Sequence, residues 1–299
     1  MSEFICNVWK VEHGSAAFIR TPTPNDRTIL FDAGCSDDFP MAEHLARMWK
    51  LNNTTNRLGW IIISHPDRDH NQDLPNVYSL LYPWIFLRNR TIPDEIVYPE
   101  GTADLKEPLR TYKLMEDEYV YEIPEDWKNP PASNWGEVLV KTFNCIPDWL
   151  SGCPEERLKN NLSLVSYVQY GSFELVLPGD LEPLGWDVLL DKTRMLDYVG
   201  KADTRIMVAS HHGRSTGIRN PDGTVYERFL EAMRPHLVVI SDKWGSESTD
   251  PEAYRPYCLG YKVYNRTTEE FEDTEVLTTK SNNYISIQYI KGNPYVIIP

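Results

Sequence analysis

Four side chains able to bind a metal fall within six residues of this sequence: His65, Asp67, Asp69 and His70 in Ser64-His65-Pro66-Asp67-Arg68-Asp69-His70. Imidazole suits zinc, copper, iron and nickel, whereas carboxylate suits magnesium, calcium and manganese. A loop whose residues alternate in direction can serve two ions about 3.5–4 Å apart, a spacing at which a metal pair activates water and stabilises a leaving oxygen. The plainer reading of the same residues is a solvated polar turn. Three further clusters end or precede apolar runs. Asp180, in Val176-Leu177-Pro178-Gly179-Asp180, could bridge two metals or cap a helix starting at Leu181. His211-His212-Gly213 holds two of the seven histidines, and a pair of ordinary loop histidines is the alternative. Asn160-Asn161 could offer a carbonyl oxygen to a metal or simply make a turn. In order, strand–HxDxDH, strand–GD and strand–HHG are much less expected by chance than any one of them.

The elements that must position these residues follow from hydrophobic pattern. Residues 4–11, 15–20 and 28–32 read as strands, and 60–64 as a short buried strand that runs directly into the His65 loop. Residues 37–50 have helical composition, with Met41, Leu45 and Met48 three or four apart. Residues 76–135, rich in aromatics, prolines and acids, read as an insertion that shapes access to the site or receives a protein partner. Strand rhythm then resumes. Residues 163–169 and 173–177 form a hairpin through Tyr170-Gly171-Ser172, and helix is expected over 181–190 and 225–233. Strands are expected over 205–209 and 236–240, and residues 284–290 and 295–298 form a closing hairpin. Strands mixed with helices predict a layered α/β or α+β fold, with chemistry on strand-end loops.

Composition narrows the class. The 299 residues are 41% hydrophobic and 25% charged, ordinary for a globular chain, and are taken as a single domain, 1–299. The net charge of −14 argues against an enzyme that grips long duplex DNA, because such binding draws on a basic surface. Five cysteines without tight pairing make a poor disulfide framework and fit a reducing, cytoplasmic location. The segment MSEFICNVWK lacks the pattern of a secretory signal, and no apolar run reaches the roughly 20 residues a bilayer requires, so no membrane role is expected.

The ordered motifs resemble the metallo-β-lactamase superfamily, whose usual loop reads HxHxDH. The form found here is similar to the branch containing the hydrolase domain of the DNA-uptake protein ComEC, which commonly reads HPDADH. Phe31-Asp32-Ala33-Gly34 resembles the early aspartate–glycine turn of the superfamily, and Asn160-Asn161-Leu162-Ser163 its lead into a strand. Leu177-Pro178-Gly179-Asp180 resembles the strand ending in GD, and Ser210-His211-His212-Gly213 resembles HHGS. The likeness spans nearly the whole chain outside 76–135. Three departures stand out. Arg68 and Arg214 replace residues that are usually small or hydroxylated. Asp250-Pro251 stands where a late His-Pro is common, and the membrane channel of ComEC is missing, so DNA uptake is not carried over.

The resemblance implies an αββα sandwich with the site at one edge. It implies two divalent ions, zinc or manganese with magnesium an option. The first would be held by His65, Asp67 and Asn160, and the second by Asp69, His70 and His211, with Asp180 bridging; Asn161 for Asn160 and His212 for His211 stay open as alternatives. Asp69, Asp180 and His212 form the implied catalytic set, His212 protonating the leaving group after metal-activated water attacks phosphorus or a carbonyl. The first site, poorer in nitrogen, is expected to bind more weakly. Arg68 and Arg214 would bind an anionic substrate, surface charge being the alternative. The leading expectation is a phosphodiesterase or nuclease acting on a nucleotide or nucleic-acid phosphodiester. A hydrolase of a lactone, lactam, thioester or phosphocholine ester is the first rival, and a non-catalytic binding protein that keeps the fold is the second.

Overall fold

The structure is a computed structural model that describes residues 4–11, 14–22, 27–51, 58–121, 123–124, 137–242, 249–280 and 282–299. Alternation along the strands builds its layers. In β1 (Phe4–Trp9), Phe4, Cys6 and Val8 enter one buried cluster, and Trp9 belongs to another. In β2 (Ala17–Arg20), β3 (Thr28–Phe31) and β4 (Trp60–Ile62), residues Ala17, Ile19, Ile29, Phe31, Trp60 and Ile62 join the first cluster. Phe18, Leu30 and Ile61 join the second. This period of two is what a strand buried on both faces requires.

These strands belong to a nine-stranded sheet ordered β12-β11-β15-β14-β1-β2-β3-β4-β5. Its remaining members are β5 (Ile85–Leu87), β11 (Tyr261–Asn265), β12 (Glu270–Thr274), β14 (Tyr284–Ile290) and β15 (Asn293–Ile298). The second sheet, ordered β13-β10-β9-β8-β7-β6, has six strands. They are β6 (Val138–Phe143), β7 (Val165–Tyr170), β8 (Phe173–Leu177), β9 (Thr204–Val208), β10 (Leu237–Ile240) and β13 (Val276–Thr278). Phe173, Leu175, Ile206, Val208, Leu237 and Val239 face the first sheet across the inner core, and Val176, Met207 and Val238 take the other face. The helix Met41–Leu51 covers the first sheet, with Trp49 against Phe18. The helices Pro183–Lys192 and Arg228–Met233 cover the second, with Trp186 stacked on Phe229 at 3.9 Å between ring centroids. The molecule is therefore the two-sheet α/β sandwich with outer helices that the sequence predicted.

Two expectations change. The proposed insertion at 76–135 contains β5, which pairs in parallel with β4 and so belongs to the sheet itself. Three apolar residues are too few to separate a buried strand from its surroundings by pattern. Residues 122 and 125–135 of that stretch lie outside the described residues. Strands β6 and β11 to β13 were not anticipated. In β12 the segment Glu270-Phe271-Glu272-Asp273 is exposed throughout, so no buried face marks its period. Among the described residues, no helix is long and apolar enough to cross a membrane.

Candidate metal centre

Three strand ends converge on one edge of the sandwich. The loop after β4 carries His65 to His70, the turn after β8 carries Asp180, and the segment after β9 carries His211 and His212. Backbone bonds join them: Leu164 N donates to Ser64 O at 2.8 Å, and His211 N donates to Gly179 O at 3.0 Å. Gly179 makes this approach feasible. Its φ is +59°, and a β-carbon there would lie 2.5 Å from Ser64 Cβ. Trp186 Nε1 donates to Ser210 Oγ at 3.2 Å and ties an outer helix to the histidine pair.

Asp32, immediately after β3, organises the first loop from beneath. It is buried, at a φ of 56°. Its Oδ1 accepts from Ser64 N at 2.7 Å, and its Oδ2 lies 3.1 Å from Ser64 Oγ and 2.8 Å from His70 Nδ1. A carboxylate accepts only, so His70 carries a proton on Nδ1 and turns Nε2 inward, the nitrogen that would serve as the ligand.

That nitrogen meets a compact group. Among the described residues, the ligand atoms of Asp69, His70, Asp180 and His212 all lie within 4.8 Å of one another. His70 Nε2 is 3.0 Å from Asp180 Oδ1, and His212 Nε2 is 3.2 Å from Asp69 Oδ2. The two Nε2 atoms stand 3.1 Å apart. Asp180 Oδ1 is buried without a hydrogen-bond partner. Two imidazole nitrogens facing each other between two carboxylates form a donor set that fits a divalent ion.

The electrostatics point the same way. Burial pushes Asp180 up, but His70 and His212 outweigh it and hold the carboxyl well below its usual range. Burial likewise opposes ionisation of Asp69, yet its bond to His212 and the charges of His70 and His212 hold it at about 2. Burial lowers His70, and Asp180 with Asp32 drives it well above the ordinary histidine value. The cluster is an anionic pocket that retains positive charge.

The sequence left His211 or His212 open as the ligand; the compact group takes His212, because consecutive left-handed residues (φ 49° and 54°) send the two rings apart. His211 lies beside it, with Nε2 3.4 Å from Asp180 Oδ2 and Nδ1 3.0 Å from Thr216 Oγ1. Asn160 donates its amide to Glu182 Oε1 at 3.3 Å, and its neighbour Lys159 meets Asp67. His65 and Asp67 stand together, Nε2 to Oδ2, at 3.4 Å, and His65 Nε2 is 3.9 Å from Asp180 Oδ2.

A cavity of about 500 Å³ opens beside Asp67, walled by residues 97–101 and 104–109. Arg68 lines it and Arg214 does not; the backbone of Arg214 pairs with that of Thr249 in an isolated antiparallel β-bridge. Asp250, at the point where the resemblance breaks, caps the helix Pro251–Tyr254 and pairs with Arg219 at 2.6 Å. Sequence reasoning assigned no role at the site to Asp32, Lys159 or Glu182. Asp32 had a signal, since the turn Asp32-Ala33-Gly34 was noted; Lys159 and Glu182 had none.

No family model matches the chain, and no curated protein matches it. Solved structures do. One is Igni18, a metallo hydrolase from the archaeon Ignicoccus hospitalis, at 9% identity over 94% of this chain and 98% of that one, with a TM-score of 0.43. Another is a metallo-β-lactamase HARLDQ-motif mutant from Cronobacter sakazakii, at 15% identity over 67% of this chain and 74% of that one, TM-score 0.38. A third is a diphosphatase of the PhnP family, at 10% identity over 80% of this chain and 86% of that one, TM-score 0.37.

Proposed function

We propose that this protein is a metal-dependent hydrolase of a small phosphodiester. The observation that carries the reading is the convergence of Asp69, His70, Asp180 and His212 on one point; a cavity large enough for a small molecule opens at Pro66, Asp67 and Arg68 of the same loop. A divalent ion held by these four residues supplies a Lewis acid and lowers the pKa of water. Asp32 fixes the His70 ring, and Asp180 and Asp69 supply the negative charge that retains the ion. Arg68, in the cavity wall, offers the planar donor pair that suits a phosphate. His212 is engaged in the ligand group, so His211 is the histidine placed to hand a proton to the leaving oxygen.

Cavity composition selects small substrates. Arg68, Lys106 and Lys159 are matched there by Asp67, Glu100, Asp104 and Glu107, three cations against four acids. A long polyanion gains little from such a lining, whereas one phosphate held by Arg68 does.

The test combines metal analysis with hydrolysis of bis(p-nitrophenyl) phosphate, cyclic nucleotides, and a panel of lactones and carboxylic esters. Turnover of phosphodiesters should vanish after chelation and return with manganese or zinc. Asp180→Ala should abolish both activity and metal retention. Turnover confined to lactones or esters would replace the substrate class. Metal binding without turnover of any substrate would favour a binding protein, and failure to bind metal under any loading would end the reading.

A further inference from the structure

On the other side of Asp180 stand His65 and Asp67, the residues that the sequence resemblance assigned to a first ion: His65 Nε2 lies 3.9 Å from Asp180 Oδ2 and 3.4 Å from Asp67 Oδ2. Asp67 also meets a lysine: Lys159 Nζ lies 2.5 Å from Asp67 Oδ1. The pair is partly shielded, its side chains 28% and 35% exposed.

Lys159 is there because of helix phase. The helix Glu155–Asn161 turns about 100° per residue, so adjacent side chains point in different directions. Arg157 Nε pairs with Glu182 at 2.6 Å, and Asn160 and Asn161 both donate to Glu182. Asn161 Oδ1 also accepts from Gly185 N at 2.7 Å. These contacts lock the helix with Asn160 on Glu182 and Lys159 on Asp67.

We propose that the protein holds one divalent ion, at Asp69, His70, Asp180 and His212, and that the Lys159 ammonium occupies the place of a second ion beside Asp67. The proposal rests on the metal-dependent reading above. An ammonium bound to Asp67 neutralises the charge that would attract a second cation, and it repels a dication approaching the same carboxylate. His65 Nε2 is buried with no hydrogen-bond partner. Removing the ammonium therefore leaves a carboxylate and a free imidazole nitrogen ready to receive an ion. Lys159 also lines the cavity, so it places fixed positive charge where the substrate enters.

The experiment loads the protein with excess manganese, removes unbound metal, and measures the metal-to-protein ratio with the electron paramagnetic resonance spectrum. The wild type should hold one ion and give an uncoupled signal. Lys159→Met should hold two, with a spin-coupled signal, and Lys159→Arg should hold one. Asp67→Ala should retain its single ion with unchanged affinity, a check that does not depend on the folding of the lysine variants. Two ions in the wild type would overturn the role of Lys159 and leave the metal-dependent reading intact. One ion in both the wild type and a folded Lys159→Met protein would overturn it as well. No ion in the wild type under any loading would instead remove the reading on which the proposal stands.

Discussion

Asp32→Asn separates orientation of a ligand from the packing around it. The buried backbone N–H of Ser64 is a fixed donor 2.7 Å from Asp32 Oδ1, so the amide oxygen of the variant must remain there. The amide nitrogen then faces His70 Nδ1, which lies 2.8 Å from the present Oδ2. A donor at that point requires Nδ1 to accept, and the ring proton moves to Nε2. Nε2 is the atom 3.0 Å from Asp180 Oδ1, so the ligand lone pair is lost although every heavy atom keeps its place. Loss of such an orienting partner costs about 10–100-fold in metal affinity, or roughly 1.4–2.7 kcal/mol. The fold should lose about 1–3 kcal/mol, the usual cost of one weakened buried charge-assisted bond. Asparagine also tolerates the left-handed φ of 56°, which alanine does not, so Asp32→Ala should lose more stability. Competition with a chromophoric chelator gives the affinity, and urea unfolding of the metal-free protein gives the stability. An Asn variant that binds zinc within about threefold of the wild type would refute the tautomer argument.

Arg68→Ala should raise KM for a phosphodiester about 10–100-fold, the value of a charge-assisted bond, with metal content unchanged. Arg214→Ala, outside the cavity, should leave KM as it was, and steady-state kinetics on both variants decide between them. Glu174 makes stability fall with rising pH. Burial raises its pKa above 4.5 although the backbone N–H groups of Gly200, Ala202 and Lys201 pull it down. The folded protein then holds that proton more tightly than the unfolded chain. The contribution is full below the unfolded value and is lost as pH climbs through the folded one. Glu174→Gln should flatten this part of the slope in urea unfolding from about pH 4 upward, the unfolded glutamate value; identical slopes in the two proteins would contradict it.

Much of this architecture was written in local pattern. Strands that alternate between two apolar clusters, such as Ile29-Leu30-Phe31, declare themselves because both faces are buried. Those on the periphery do not. Phe271 in β12 is 59% exposed between acids, and only its pairing with β11 makes that segment a strand. His65, Asp67, Asp69, His70 and Asp180 likewise share one edge of the sandwich, since each cluster follows directly on a strand whose direction the sheet fixes.

What escaped the sequence is decided by torsion rather than by residue type. His211 and His212 are equal as letters. Their backbone angles (φ 49°, ψ 47° and φ 54°, ψ 23°) place His212 against Asp69 and Asp180 Oδ1 and turn His211 to Asp180 Oδ2, Thr216 and Glu182. The same holds for Lys159 and Asn160. Reading across a family pattern favours the asparagine, because its oxygen is a ligand type. The helix offers Asp67 only one of two neighbours, and the anchor that chooses is Glu182, more than twenty residues away in sequence and held by Arg157. A substitution at Glu182 that freed the helix to turn would therefore alter which residue meets Asp67. On the proposal above, the number of cations at this site would follow from the Arg157–Glu182 salt bridge, which touches none of the four converging ligands.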